Sequence, residues 1–202
     1  MLVSSPLGQY VDAVRVFLAG ATGVIGIRLI PLLVAQGHEV AGMSRSDHAA
    51  EGMRDLGAEP IICAVYDRER LTSAVDTFRP DMVMHQLTDL PDDGSQVPAF
   101  VPNNERMRTE GTRNLIAAAR GVPVIAQSIA FTPVGGDSPT VREHEGAVLA
   151  AGGIVVQYGL LYGPDTWFPT SIPNGPRIHV DEAARRTLPL LHVPSGIYVL
   201  VD

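Results

Sequence analysis

Val14-Arg-Val-Phe-Leu-Ala-Gly-Ala-Thr-Gly-Val-Ile-Gly26 is the stretch from which the rest of the chain can be read. The apolar run from Val14 to Ala19 has the length and bounds of a buried strand. Gly20, Gly23 and Gly26 follow, and then an apolar-periodic segment runs to Gln36. The order is strand, tight turn, helix. Gly20 lets the chain turn without a side chain, Gly23 lets backbone approach a pyrophosphate, and Gly26 lets the helix sit close to the strand. The helix start then offers free N–H groups and the positive end of its dipole to an anion. Glycines alone serve many structural turns. A strand before them and a helix after them form the context of a dinucleotide site.

Working outward, the chain has 202 residues, 46% of them hydrophobic, enough for one sizeable core. The formal net charge is −7 and no basic run occurs, which argues against nucleic acid or an anionic membrane as partner. Cys63 is the only cysteine, so no disulfide framework or thiolate metal cluster can form; within Pro60-Ile-Ile-Cys-Ala-Val65 it reads as a small core residue. No uncharged apolar run reaches the ~18 residues of a membrane span. The first thirteen residues lack a basic start followed by an apolar core, so a cytoplasmic protein is expected. All fifteen basic residues are arginines. Chemistry that needs a lysine ammonium is therefore closed to this sequence.

The helix after the glycine turn is expected from about Val24 to Gln36, with Pro31 inside it. His38 to Met43 reads as a second strand, Asp47 to Gly57 as a helix capped by Ser46 or Asp47, and Glu59 to Val65 as a third strand. A helix from Arg68 to Phe78 and a strand from Pro80 to Gln86 follow, with His85 packed near the strand end. Thr88 to Pro102 reads as a polar, proline-bearing loop in which Asp89, Asp92 and Asp93 form a solvated face. A long helix is expected from Asn103 to Arg120, and a strand from Val122 to Gln127 with Ser128 at its tip. Thr132 to Arg142 reads as loop, Glu143 to Ala151 as a short helix, and Gly153 to Gln157 as the sixth strand. Beyond it, Asp181 is the expected N-cap of a helix reaching about Leu191, and Gly196 to Val201 a last strand.

This alternation predicts an α/β fold, a doubly wound parallel sheet with helices on both faces. Residues 14–164 would form the dinucleotide-binding region, and 165–202 a partial C-terminal substrate-binding region within one compact domain. Ligands of such sheets bind at the C-terminal strand ends. Ser44-Arg45-Ser46 stands where the adenosine ribose would lie. An arginine between two hydroxyls suits a 2′-phosphate, so NADP (NADPH) is expected over NAD. Asp67 either meets the adenine edge or caps the next helix.

Gly20-Ala-Thr-Gly-Val-Ile-Gly26, Asn114 in its long helix, Tyr158 to Pro164 and Ile178-His-Val-Asp181 together resemble the extended short-chain dehydrogenase/reductases, in the NAD-dependent epimerase/dehydratase-like branch. The resemblance runs from Val14 to Asp202 and implies a Rossmann-like fold. It implies that Gly20, Thr22, Gly23, Val24, Ile25 and Gly26 hold the pyrophosphate, Arg45 the ribose phosphate and Asp67 the adenine. Gln86, Leu87 and Thr88 would line the nicotinamide side, with Tyr158 and Leu160 beside the ring. His179 would pack the start of a helix.

Members of that family use a serine or threonine, then a tyrosine with a lysine four residues later. Here there is no lysine, and no tyrosine lies between Asp67 and Gln157. Counting back from Glu145 puts Asp137 and Val141 at the dyad positions, and Ile129 in the serine slot just after Ser128. The resemblance therefore extends to atypical ketoreductases that tailor aromatic polyketides in secondary metabolism. The expected function is NADPH-dependent reduction of a small or polycyclic aromatic ketone by a monomer or homodimer, with no metal. The catalytic proton would come from Ser128 through water, from Tyr158, or from a hydroxyl of the substrate, with Ile129, Phe131 and Leu160 excluding water. A non-catalytic NAD(P)-binding sensor and a nucleotide-sugar epimerase or dehydratase are the alternatives.

Overall fold

The computed structural model describes residues 2–4, 10–133 and 136–202. A short antiparallel pair, β1 (Leu2–Ser4) and β2 (Tyr10–Asp12), precedes the main fold. The core sheet is built from β3 (Arg15–Ala19), β4 (Glu39–Ser44), β5 (Glu59–Ile62), β6 (Met82–His85), β7 (Val124–Ile129), β8 (Ile154–Tyr158) and β11 (Gly196–Leu200). Its strands run in the order β11-β8-β7-β6-β3-β4-β5, and every pairing is parallel. This is a Rossmann-like α/β fold, in which the chain winds outward from β3 in both directions. A separate parallel pair joins β9 (Leu160–Tyr162) to β10 (Arg177–His179).

Alternation along the strands sends side chains to two cores. Val16 and Leu18 of β3 join the core under α1 (Gly26–Ala35), α2 (Ala49–Asp55) and α7 (Val180–Thr187). Phe17 and Ala19 join the opposite core, under α3 (Arg68–Phe78), α5 (Thr112–Ala119) and α6 (Pro139–Ala150). With both faces covered, the strands read as continuous apolar runs rather than alternating ones.

Several boundaries differ from the sequence expectation. Residues 97–102, read as loop, begin the helix α4 (Val97–Arg106). Pro98 lies in its first turn, where a missing N–H costs nothing, and Pro102 is tolerated within it. A π-type turn over Met107–Gly111 then leads into α5. The helix α6 starts at Pro139 rather than Glu143, because Ser138 caps it by accepting the Val141 N–H at 3.4 Å. Helix α2 is shorter than expected and is preceded by His48, not capped by a side chain of Ser46 or Asp47. The cap of α7 is His179, whose Nδ1 accepts the Asp181 N–H at 3.3 Å. Asp181 instead sits in the first turn and binds Arg28.

Arg28 fastens the C-terminal part to the first helix. Its guanidinium donates to Asp181 at 2.7 Å, Asp165 at 2.9 Å, the Pro164 carbonyl at 2.9 Å and the Val24 carbonyl at 2.8 Å. The planar fork satisfies four acceptors at once, which a flexible ammonium could not do in one geometry.

The glycine turn is the tightest point of the fold. A Cβ on Gly26 would lie 2.1 Å from the Gly20 carbonyl oxygen, whereas one on Gly146 in α6 would meet nothing. Gly26→Ala should therefore destabilise the protein by about 1–3 kcal/mol through backbone displacement. Gly146→Ala should be neutral or stabilising by roughly 0.4–1 kcal/mol. Denaturant unfolding of the two variants checks the pair; equal effects would contradict this packing.

Candidate active site

Gly20 ends β3 with φ +91°, a conformation L side chains rarely adopt. Its missing Cβ also permits contact with the next strand, since an added Cβ would stand 2.6 Å from the Gln86 carbonyl. The Gly23 N–H closes the turn onto the Gly20 carbonyl at 3.1 Å. Thr22 and Gly23 are exposed, Val24 is half-buried, and Ile25 and Gly26 are buried. A Cβ on Gly23 would touch only the Gly20 oxygen, at 3.4 Å, so the outer side of the turn is open. The turn thus has the shape a pyrophosphate requires: close-packed inward, and bare backbone with a helix start outward.

The neighbouring strand ends fit the rest of a dinucleotide. Arg45, just past β4, keeps 64% of its side chain exposed, and its one ion pair among the described residues is with Asp89, at 4.0 Å. A contact that long leaves the guanidinium available to a phosphate. Asp67 accepts the Arg70 N–H at 3.1 Å and so caps α3, with its side chain exposed beside the end of β5. Next to it, Arg106 lies over the Tyr66 ring, 4.0 Å from the centroid. Asn114 is buried in α5 and donates to the Val65 carbonyl at 3.0 Å, tying that helix to the β5 end. Beyond β6, Gln86 is buried, with neither amide atom paired among the described residues. Leu87 is half-buried and Thr88 exposed.

The second part of the site lies between β7, β8 and α6. Ser128 Oγ donates to Glu145 Oε1 at 2.5 Å, and Gln157 Nε2 donates to the same oxygen at 2.9 Å. Glu145 opens onto a cleft of about 360 Å³ whose walls include Ile129, Phe131, Asp137, Val141 and Gln157. Asp137 and Val141, assigned to the dyad positions by counting, do face this cleft. Glu145 and Gln157 were not among the candidates from sequence. The missed signal is helical spacing within α6: 141 and 145 fall on one face.

A buried polar chain stands behind the cleft. The Leu87 N–H donates to His85 Nδ1 at 3.3 Å, and His85 Nε2 meets Thr112 Oγ1 at 3.0 Å. Thr112 Oγ1 meets His144 Nδ1 at 2.7 Å, and His144 Nε2 donates to the Gln127 carbonyl at 2.9 Å. Burial, with Arg108 close by, pushes the His144 imidazole down to about 4. Burial beside His144 also holds His85 well below its ordinary range. Both rings are therefore neutral at pH 7. With both neutral, one assignment satisfies every bond: each ring carries its proton on Nε2 and accepts on Nδ1. His85 is thus a packed core residue.

Tyr158 requires a correction. The sequence offers it as an alternative acid to Ser128, but alternation places the two on opposite faces of the sheet. Tyr158 belongs to the core under α1 and α7, is 3% exposed, and bonds Thr187 Oγ1 at 2.6 Å. Burial pushes its hydroxyl up to about 12, which makes it a poor proton donor. Leu160, in β9, is half-buried. At the rim, the Trp167 indole donates to the Pro91 carbonyl at 3.0 Å and covers Gly94, joining the loop after β6 to the loop after β9.

Among the described residues, no group of three or more histidine, cysteine or acidic side chains could hold a metal ion, and no helix is long and apolar enough to cross a membrane.

Comparisons with known proteins give the fold and the family. The chain is 38% identical over 182 residues to a 3-diazoavenalumate denitrifying reductase of a Streptomyces species, covering 76% of this chain and 58% of that protein. It is 31% identical over 106 residues to a 4-hydroxy-2-methyl-3-oxo-4-farnesyl-3,4-dihydroquinoline-1-oxide ketoreductase of Stigmatella aurantiaca, covering 52% of this chain and 30% of that one. The chain thus matches less than two thirds of the length of either relative. Among solved structures, the UDP-glucose 4-epimerase of Thermus thermophilus in complex with NAD superposes with a TM-score of 0.72 at 21% identity, over 93% of this chain and 78% of that one. The model of the NAD dependent epimerase/dehydratase family matches residues 16–145, and the chain belongs to that family.

Proposed function

We propose that this protein is an NADPH-dependent ketoreductase acting on a small or polycyclic aromatic ketone without the usual tyrosine–lysine dyad. One observation carries the reading: an open glycine turn and the cleft lined by Glu145 and Gln157 both lie at C-terminal strand ends of one sheet. The names of two relatives, a reductase and a ketoreductase, support the same reaction class.

Reduced nicotinamide, when bound, supplies the hydride. The chain's own residues bind, orient and handle the proton. Backbone from Gly20 to Gly26 would hold the pyrophosphate, with Thr22 and Val24 flanking Gly23. Arg45 would take the 2′-phosphate, and Asp67 would face the adenine edge. Gln86, Leu87 and Thr88 would line the nicotinamide side, and Leu160 with the Tyr158 ring would pack beside it. Ser128, buried behind the cleft wall, would reach the substrate carbonyl only through water, and a hydroxyl of the substrate itself is the other source of the proton. Ile129 and Phe131 suit an aromatic ring, such as that of a polyketide, and exclude water from the developing alkoxide. An epimerase needs a base that removes an alcohol proton repeatedly, and valine at position 141 leaves no ammonium to sustain a tyrosinate.

Purified protein given NADPH and phenanthrenequinone, a polycyclic aromatic ketone, should consume the cofactor, as followed by its absorbance. Saturable binding of NADPH without consumption would make the chain a dinucleotide sensor instead.

Cofactor choice is read by titration calorimetry. Arg45→Ala should weaken NADPH by about 1.5–3 kcal/mol, the worth of a hydrogen bond to a charged group, and leave NADH nearly unchanged. Equal losses for both would remove Arg45 from the phosphate site.

Gly23→Val should abolish NADPH binding while the far-UV circular dichroism stays native, because its side chain fills ligand space and not protein space. Unchanged affinity would place the dinucleotide elsewhere.

A further inference from the structure

We propose that Glu145 and Gln157 form an acceptor site in the cleft for a phenolic hydroxyl of the substrate. The inference rests on the ketoreductase reading above and names a substrate class: an aromatic ketone with a hydroxyl on its ring, set apart from the carbonyl.

The site is built by strand register. Ser128 of β7 and Gln157 of β8 are paired across the parallel sheet. Paired residues of neighbouring strands point to one face, so both side chains are directed toward α6. There they meet a single oxygen of Glu145. Ser128 Oγ donates to Oε1 at 2.5 Å, and Gln157 Nε2 donates to it at 2.9 Å. Two donors from two strands fix the carboxylate against rotation. Glu145 and Gln157 line the cleft, whereas Ser128 is buried behind them and serves only as part of this clamp.

The clamp decides what the cleft offers a ligand. A carboxylate accepts hydrogen bonds and donates none, so the Gln157 amide must turn its nitrogen to Glu145. Its own oxygen is then left over. Among the described residues, no donor meets Glu145 Oε2 or Gln157 Oε1. Two free acceptors thus belong to half-buried residues of the cleft wall. Already held in place, these side chains lose little freedom when a ligand binds.

Charge selects the kind of donor. Arg108, from the π-type turn, lies close enough to Glu145 for the two charges to offset each other. Asp137 and Arg142, elsewhere on the cleft wall, form an ion pair with each other. An ammonium on the substrate therefore finds no unopposed carboxylate, and a substrate carboxylate would meet two acceptors. A neutral O–H gains the acceptors without the cost of burying a charge. Ile129, Phe131 and Val141 supply apolar wall for the aromatic ring that carries it.

The test uses the whole chain with para-hydroxyacetophenone and its methyl ether, para-methoxyacetophenone. The two differ only in the donor, and the para position keeps that hydroxyl out of reach of its own ketone. Binding is measured by titration calorimetry with NADP present, and reduction by NADPH consumption. The wild type should bind the phenol about tenfold or more tighter than the ether, the worth of a hydrogen bond to a charged group. Its kcat/KM for reduction should favour the phenol in the same sense. In Glu145→Gln, Ser128 and Gln157 still require an oxygen opposite them, so the new amide turns its NH2 outward and an acceptor becomes a donor. The preference for the phenol should vanish while NADP affinity stays as it was. Equal binding of the two ketones by the wild type, or binding of neither, would overturn the acceptor site whatever the variant does. So would a Glu145→Gln protein that keeps the wild-type preference, or one that loses NADP and both ketones together. A wild type that prefers the phenol in binding but consumes no NADPH would overturn the reductase reading and leave the acceptor site standing, so the two failures are distinct.

Discussion

The contact between Gly20 and the Gln86 backbone is the constraint on which the rest depends. β3 is the first strand of the parallel sheet and has β4 on one side and β6 on the other. At that junction the chain must turn with positive φ while lying against the end of β6, and a Cβ would stand 2.6 Å from the Gln86 carbonyl. Gly26 then brings α1 down on the Gly20 oxygen. These two contacts aim the start of the first helix across the strand ends. The open side of the turn at Gly23 follows from that aim. The crevice where the winding of the sheet reverses is where such a fold places a ligand.

The buried chain from Leu87 through His85, Thr112 and His144 to Gln127 does a comparable task for the second half of the site. Unpaired imidazole nitrogens at this depth would be costly, and only two neutral rings with matched tautomers leave none. The chain links the end of β6, the first turn of α5, the middle of α6 and the end of β7. Ser128 follows Gln127 on the strand, and Glu145 follows His144 on the helix. The pairing of Ser128 with Glu145 is thus set by a rigid polar network one residue away from each of them.

Much of this was legible in the sequence. The strand, glycine turn and helix from Val14 to Gln36 and the β-α alternation identify the sheet, because burial on both faces forces apolar runs and the turn admits only glycine at positions 20 and 26. Arg45 at a strand end was equally plain. What stayed hidden depended on direction or on capping. Ser138-Pro139 is a helix start that looks like loop when only apolar periodicity is followed, so α6 seemed four residues shorter at its start than it is. Pro98 and Pro102 disguised α4 in the same way. Tyr158 and Ser128 both stand near strand ends, yet the period-two pleat turns one hydroxyl under α7 and the other toward α6. In the sequence Glu145 fixes the count to the missing dyad, but its place beside Ser128 depends on the start of α6 and on the pleat of β7.

The most direct measurement of the account is a crystal structure of the protein with NADP bound. The account predicts the pyrophosphate on the backbone of the Gly20–Gly26 turn and the 2′-phosphate at Arg45. Nicotinamide C4 should open onto the cleft lined by Glu145 and Gln157, with room there for a carbonyl. A nicotinamide ring directed away from that cleft, or a cofactor bound without touching the glycine turn, would contradict it.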